Sequence, residues 1–329
     1  MHSTINLGFD YLAGSIRVRA DNVELPVEEL DPRAGTIRIE MPASASDPIS
    51  VEYQRTIYQG GGPRPTIEIG TADACIYCGS RSDLRDEHVI PFALDGEYVL
   101  RKATCGACAD KTSSNELKVL RGALWPARTS LQMRTRHKGA RPKTLPVIEI
   151  DEAGQRRTRE VRVTEHPTYI MLPTFEAPAL LRGGAIPNLV CTGAWAHLVG
   201  SSTLPALGNE LGLEEVGIRL ELDIYAFARL LAKIAHGFVA GAGFDGSIGT
   251  ELPSAMFAEG ELVGWWVGGA PDITLPEAGL HAVGTSLVDG KIQVRIRLFA
   301  QFGGPEYLVI AGWPMGPTEA EPSVSVTSA

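Results

Sequence analysis

The sequence predicts an α+β protein, with a central cysteine-rich unit between an N-terminal β-rich region and a C-terminal region of mixed strands and helices. Three observations lead there. Residues 1–70 carry short runs in which apolar and polar residues alternate, separated by proline and glycine, which is the period of half-buried strands. Residues 75–108 carry two Cys-x-x-Cys pairs, the spacing of metal knuckles. Residues 144–316 mix further alternating runs with one long stretch of helical period, from about Asp223 to Val239. A chain of 329 residues accommodates several such units. The boundaries read as 1–70, 71–143 and 144–316, with a frayed tail over 317–329.

In the first region the strand candidates are Ser15–Arg19, Thr36–Glu40, Ser50–Arg55 and Thr66–Ile69. Breaks at Leu30–Gly35, Met41-Pro42 and Gly60–Pro63 separate them. Asp10, Tyr11 and Tyr58 are read as packing or surface residues.

The second region starts at the first knuckle, Cys75 and Cys78, and closes at the second, Cys105 and Cys108. Four thiolates saturate a tetrahedral Zn²⁺, so a zinc ion here is structural and leaves no open position for water. The loop tied off between the pairs holds Glu87-His88, leading into Val89-Ile90-Pro91. Arg85–Ile90 reads as a short strand ended by Pro91, with a loop after it through Asp95-Gly96. The second knuckle should open a helix, with helical spacing at Leu117, Leu120 and Leu124 and a stop at Pro126. A further helical piece is expected over Ala127–Met133, followed by a basic, poorly structured tract from Arg134 to Lys143.

In the third region strands are expected at Pro146–Ile150, Arg159–Thr164, Thr168–Leu172, Leu262–Val267 and Ile292–Phe299. Asp289-Gly290 marks a two-residue hairpin turn. The long helix has Asp223 as N-cap, Gly241 past its end, and one apolar face of Ile224, Phe227, Leu231, Ile234 and Phe238. His236 in its last turn reads as a packed histidine, and Trp195, Trp265 and Trp266 as core anchors.

Apolar residues make up 44% of the chain, enough for a sizeable core. With no run of eighteen apolar residues and no basic start or apolar signal core, the expectation is no membrane partner and a cytoplasmic location. Paired knuckles suit a reducing compartment, and the fifth cysteine, Cys191, is expected to be a small buried hydrophobe. Net charge is −9, but its distribution is uneven. Residues 75–143 hold thirteen Lys/Arg against seven Asp/Glu, residues 1–74 six against eleven, and residues 144–329 eleven against twenty-one. Positive charge thus gathers around the cysteine unit, where a phosphate backbone would be gripped.

Glu87 and His88 carry the candidate chemistry. A neutral imidazole takes a proton from water, and a neighbouring carboxylate can hold a divalent ion that neutralises phosphoryl charge. Together they suit phosphodiester hydrolysis.

The stretch from 75 to about 122 resembles the HNH endonucleases, which have a zinc-knuckle ββα-metal fold. The likeness lies in C-x-x-C, then Glu87-His88-Val89-Ile90-Pro91 followed by a Leu and a Gly, then C-x-x-C opening a helix. Thr112–Arg121 and Ala232–His236 also resemble segments of longer bacterial proteins of that family. The resemblance implies His88 as general base, Glu87 as a ligand of Mg²⁺ or Mn²⁺, and Cys75, Cys78, Cys105 and Cys108 on structural zinc. It implies nucleic acid, DNA in the first instance, as substrate. The chain departs from the pattern at Ala109, where the family usually has the Asn or His that supplies a second ligand. Helical geometry offers replacements: at 100° per residue Glu116 lies about 20° from the face of Ala109, and Asp110 about 100° away. Lys102-Ala103-Thr104 stands where the family often has a bracing Asn. Arg121, Arg128, Arg134, Arg136 and Lys138 are the expected phosphate contacts.

Three readings follow. The chain is a metal-dependent endonuclease, a zinc-knuckle nucleic-acid- or protein-binding protein that has lost catalysis, or a nuclease governed by an effector pocket in residues 144–329.

Overall fold

The computed structural model describes residues 65–314 other than 137, 138, 140, 152, 153, 184, 185, 214, 243–250, 259, 261, 277 and 278. Of the remainder it describes only the backbone of strands within residues 2–52 and 324–328. The fold is α+β, with the cysteine unit set between small sheets.

The first six strands are β1 (His2–Asn6), β2 (Arg17–Ala20), β3 (Val23–Leu25), β4 (Val27–Asp31), β5 (Thr36–Glu40) and β6 (Ser50–Glu52). They form two antiparallel sheets, ordered β1-β5-β4 and β3-β2-β6. The expected Thr36–Glu40 strand matches β5, and the candidates at Ser15–Arg19 and Ser50–Arg55 overlap β2 and β6. Asp10, Tyr11 and Tyr58 lie outside the described residues.

The cysteine unit is a three-stranded sheet carrying a helix. It comprises β7 (Ile67–Thr71), β8 (Leu84–His88) and β9 (Tyr98–Cys105), in the order β7-β9-β8. The central strand β9 runs parallel to β7 and antiparallel to β8. No alternation in the sequence marks β9 as a strand, and Tyr98, Val99, Leu100, Ala103 and Thr104 are all buried. A strand covered on both faces loses the pattern that marks a half-exposed one. β9 runs directly into α1 (Gly106–Arg121), so the second knuckle opens a helix as expected. Pro126 does not stop a helix here. It sits in the first turn of α2 (Trp125–Ser130), where a missing N–H costs nothing.

Next come β10 (Thr144–Ile150), β11 (Arg156–Arg162), β12 (Tyr169–Phe175), β13 (Cys191–Leu198), α3 (Leu204–Leu211), β14 (Glu215–Gly217) and α4 (Ile224–Gly241). The last elements are α5 (Glu251–Phe257), β15 (Val267–Gly269), β16 (His281–Val288), β17 (Lys291–Leu298), β18 (Glu306–Gly312) and β19 (Val324–Ser328). Five of these strands form an antiparallel sheet, β15-β18-β17-β16-β19. Asp289-Gly290 makes the expected hairpin: both residues have positive φ, and Val288 pairs Lys291 across the turn. Two expectations change. Leu262–Trp265 is a 3₁₀ turn, with only Val267–Gly269 extended, and the tail contributes a strand, β19, paired with β16.

α4 is the central element. Asp223 caps it by accepting from the Ala226 N–H at 2.9 Å, and Gly241 is its last residue instead of lying past its end. Its length and apolarity are those of a membrane-crossing helix, but 72% of it is buried inside the protein. It packs against α1 on one side and against β17, β18 and α5 on others. One core therefore contains Cys75, Val89, Leu94 and Leu120 of the cysteine unit together with Phe227, Leu231, Val294 and Val309 of the C-terminal region. The position between 143 and 144 is no break in that core.

Candidate metal centre and active cleft

Cys75 and Cys78 lie in a tight turn before β8. Gly79, at φ +74°, allows the Gly79 N–H to reach Cys75 O at 2.8 Å, and the Cys75 N–H donates to Ser80 O at 2.7 Å. Cys105 ends β9 and occupies the N-cap of α1, with Cys108 in the helix's first turn. The four Sγ atoms lie within 4.8 Å of one another, and Cys78 and Cys105 are 3.7 Å apart. A zinc ion bonding each sulfur at about 2.3 Å in a tetrahedron would set them about 3.8 Å apart. Three of the thiols are buried and Cys78 is exposed. The four cysteines could therefore hold a metal ion such as zinc. The N-terminal end of α1 favours the thiolate charge this requires. Cys191, by contrast, is exposed on β13, its S–H donating to Gly193 O at 3.3 Å; it is not a core residue. Among the described residues β13 pairs only with β12 in a two-stranded sheet and its first four residues are all exposed, so a small apolar residue there gains no burial.

β8 delivers Glu87 and His88 to opposite fates. Glu87 is buried and His88 half-buried, yet both line one cleft of about 980 Å³ between the strand end, α1 and the segment after α2. Ala109, Asp110, Glu116, Arg121, Arg128, Arg136 and Lys233 also line it.

Lys233 is a site residue that the sequence offers only as part of the Ala232–His236 segment, with no role attached to it. It comes from the middle of α4 and is 2% exposed. Its ammonium lies 2.7 Å from Glu87 Oε1 and 3.2 Å from Glu116 Oε1. It also donates to the backbone carbonyls of His88 and of Val89, the latter at 3.2 Å. One signal for it is present: a charge between Ala232 and Ile234, in a mostly apolar helix whose other cation is Arg229, must find a partner if that turn is buried. Burial alone would lower the Lys233 pKa, but the two carboxylates outweigh it and the net shift is upward. Burial pushes the Glu87 carboxyl upward, against the opposing pull of Lys233. The two shifts differ in meaning because two carboxylates share one ammonium, so Glu116 repels the charge that Lys233 attracts. Lys233 thus opposes the protonation that burial and Glu116 favour at Glu87.

His88 is held from behind and open in front. Its carbonyl receives Lys233, and its ring meets Phe92 edge-on at 5.5 Å. Burial first, then the positive charges of Lys233, Arg134 and Arg136, lower its pKa to about 4. The imidazole is thus neutral at physiological pH.

The turn that follows is clamped from three directions. The Arg128 Nε–H donates to Ala93 O at 2.7 Å, and His281 Nε2 to Leu94 O at 2.7 Å. Because the Phe299 N–H donates to His281 Nδ1, the His281 proton sits on Nε2. Asp95, at φ +59°, accepts from the Arg134 backbone N–H at 2.7 Å and from its Nε at 3.2 Å. Arg134 also lies over the Phe92 ring, 4.5 Å from its centroid. A Cβ on Gly96 would sit 2.1 Å from Ile90 O, so only glycine closes this turn.

The expected residues are therefore partly gathered. Glu87, His88, Asp110, Glu116, Arg121, Arg128 and Arg136 share the cleft. Arg134 braces the turn, and Lys138 lies outside the described residues. Glu87 and Glu116, expected to hold a divalent ion, hold the Lys233 ammonium. Asp110 is exposed and Ala109 brings no donor, so the residues present do not assemble a ligand set for Mg²⁺ or Mn²⁺. His236 is packed, as expected: its Nε2 donates to Ile76 O at 2.6 Å, and its ring stacks on Tyr77. It thereby ties α4 to the first knuckle. Trp266 is buried, and Trp195 is half-buried, stacked on His197.

No family model matches the chain, and no curated protein or solved structure matches it.

Proposed function

We propose that this protein is a hydrolase of nucleic-acid phosphodiesters, of the HNH endonuclease type, with His88 as general base and zinc on Cys75, Cys78, Cys105 and Cys108. The observation that supports it is a half-buried imidazole, kept neutral by its surroundings, facing a cleft lined by Arg121, Arg128 and Arg136. Neutral His88 takes a proton from water as the water oxygen bonds to phosphorus. The bond to the bridging oxygen breaks, and solvent protonates the departing alkoxide. The exposed guanidinium groups of Arg121 and Arg136 grip the phosphate backbone and meet the negative charge that develops on the phosphoryl oxygens, while Arg128 stays committed to the Ala93 and Leu120 carbonyls. The antiparallel β8–β9 pair leading into α1, with a thiol cluster at its base, supports this reading, since the HNH resemblance implies a ββα unit with zinc knuckles.

The test is incubation of supercoiled plasmid and of single-stranded DNA and RNA with wild type and with His88→Ala, zinc content being measured in both. His88→Ala should lose cleavage at least about a hundredfold and keep its zinc. Cleavage that persists in the variant removes the reading.

A second reading has its own support, since Ala109 and the Lys233-bridged carboxylates are what a cleft that only binds would show. On that reading the chain binds nucleic acid in a salt-sensitive way, with no turnover of any of these substrates.

A further inference from the structure

We infer that the Lys233 ammonium stands in place of the divalent ion in this cleft, so that phosphodiester cleavage here needs neither Mg²⁺ nor Mn²⁺. The inference rests on the hydrolase reading given above. It starts from what surrounds the nitrogen: two carboxylate oxygens and two backbone carbonyl oxygens, on β8, α1 and the turn after β8. These are hard oxygen donors, the set that a magnesium or manganese ion would choose. The Glu87 and Val89 contacts, at 2.7 and 3.2 Å, are those of an ammonium donating N–H bonds. A magnesium ion in the same niche would draw its oxygens to about 2.1 Å in an octahedron.

The ammonium cannot readily give way. Lys233 leaves the helix between Ala232 and Ile234, both fully buried, and its own side chain is 3% exposed. If it withdrew, Glu87 would be left buried beside Glu116 with no counter-charge. The position that would have added a protein ligand at the start of α1 is Ala109, which has none to offer. The cation is also covalently part of the fold and sits on the carbonyl of His88 itself. Lys233 is therefore a positioning residue: it fixes the backbone of the base and supplies the positive charge beside it. Charge on the phosphate is left to the arginines of the rim.

The experiment uses the full chain after brief EDTA treatment that leaves the bound zinc in place, as checked by elemental analysis. Cleavage of plasmid and single-stranded substrates is compared in EDTA, in Mg²⁺ and in Mn²⁺. In parallel, Mn²⁺ binding is followed by electron paramagnetic resonance in wild type, Glu87→Gln, Lys233→Ala and Lys233→Ala/Glu87→Gln. Equal rates within about twofold in all three conditions are expected. Wild type should bind no Mn²⁺ that depends on Glu87; Lys233→Ala should gain one such ion, and the double variant should lose it. Cleavage that appears only with added metal overturns the inference and leaves the hydrolase reading standing. Wild-type Mn²⁺ binding that vanishes in Glu87→Gln also overturns it. Absence of cleavage in every condition overturns both. The wild-type cleavage measurements decide the matter whether or not the variants fold.

Discussion

Lys233 brings a full charge into a helix whose flanking residues never meet water, and its partners decide what that costs. Removing one member of a buried ion pair leaves the other without compensation, at about 3–5 kcal/mol. Lys233→Met should therefore lower the unfolding free energy by that amount, seen as a lower urea midpoint with an unchanged slope, and adding Glu87→Gln should restore part of the loss. Unfolding curves of the two variants check this. His88 gives the second residue-scale expectation. Its folded pKa of about 4 lies below its ordinary 6.5, so the unfolded chain takes up the proton first as pH falls. The stability His88 contributes is then complete above about pH 6.5 and is lost as pH falls from there to 4. On the hydrolase reading, the same shift leaves His88 able to accept a proton across neutral pH. The cleavage rate should be flat from about pH 6 to 8 and fall below about pH 5, as a pH–rate profile would show.

At the scale of elements, the strand, turn and helix around His88 are held by side chains from elsewhere in the chain. β8 ends at His88, and the turn from Pro91 to Gly96 is fixed by Arg128, Arg134 and His281. His281→Ala leaves the Leu94 carbonyl buried without its donor, which should cost about 1–3 kcal/mol. If the turn positions the base, kcat should fall more than KM rises, and steady-state kinetics on one substrate separates the two. The knuckles hold the other end of the same elements. A zinc ion held by the four thiolates would join the turn before β8 to the start of α1, so Cys108→Ser should lower both zinc content and helix stability, read by elemental analysis and thermal melts followed by circular dichroism. The basic segment after α2 is tied down in places: Arg134 holds Asp95, and Arg141 donates to Met133 O at 2.5 Å. Its composition alone predicts an unstructured arm, because anchoring through single guanidinium groups carries no periodic signal.

For the whole molecule, the cysteine unit and the C-terminal region share one core. Residues 71–143 expressed alone would lack Lys233, His236 and His281, which tie the unit to α4 and β16. Such a fragment should bind zinc but show poor amide dispersion in a proton–nitrogen correlation spectrum, while the full chain should be well dispersed. Charge is also a property at this scale. Removing one guanidinium that neutralises a phosphate should reduce the salt slope of nucleic-acid binding by about one, so Arg121→Ala with Arg136→Ala should reduce it by about two. Affinity measured across salt concentrations gives the slopes.

Local physics is legible in the sequence wherever a residue type and a spacing settle the matter between them. Cys-x-x-Cys twice over locates the thiol cluster, Asp223 locates the start of α4, and Asp289-Gly290 locates a hairpin. Glu87 and His88 stand out by their place between the two knuckles, ahead of Pro91, since the order and spacing are specific where the pieces alone are common. β9 is not legible, since burial on both faces erases alternation, and neither is the exposure of Cys191, which depends on what covers β13. The sequence by itself determined which groups could do chemistry and where the thiols would gather. Only the tertiary structure decided that Glu87 and Glu116 meet an ammonium from a helix more than a hundred residues away, because contacts between distant segments follow from how faces pack and leave no local pattern to read.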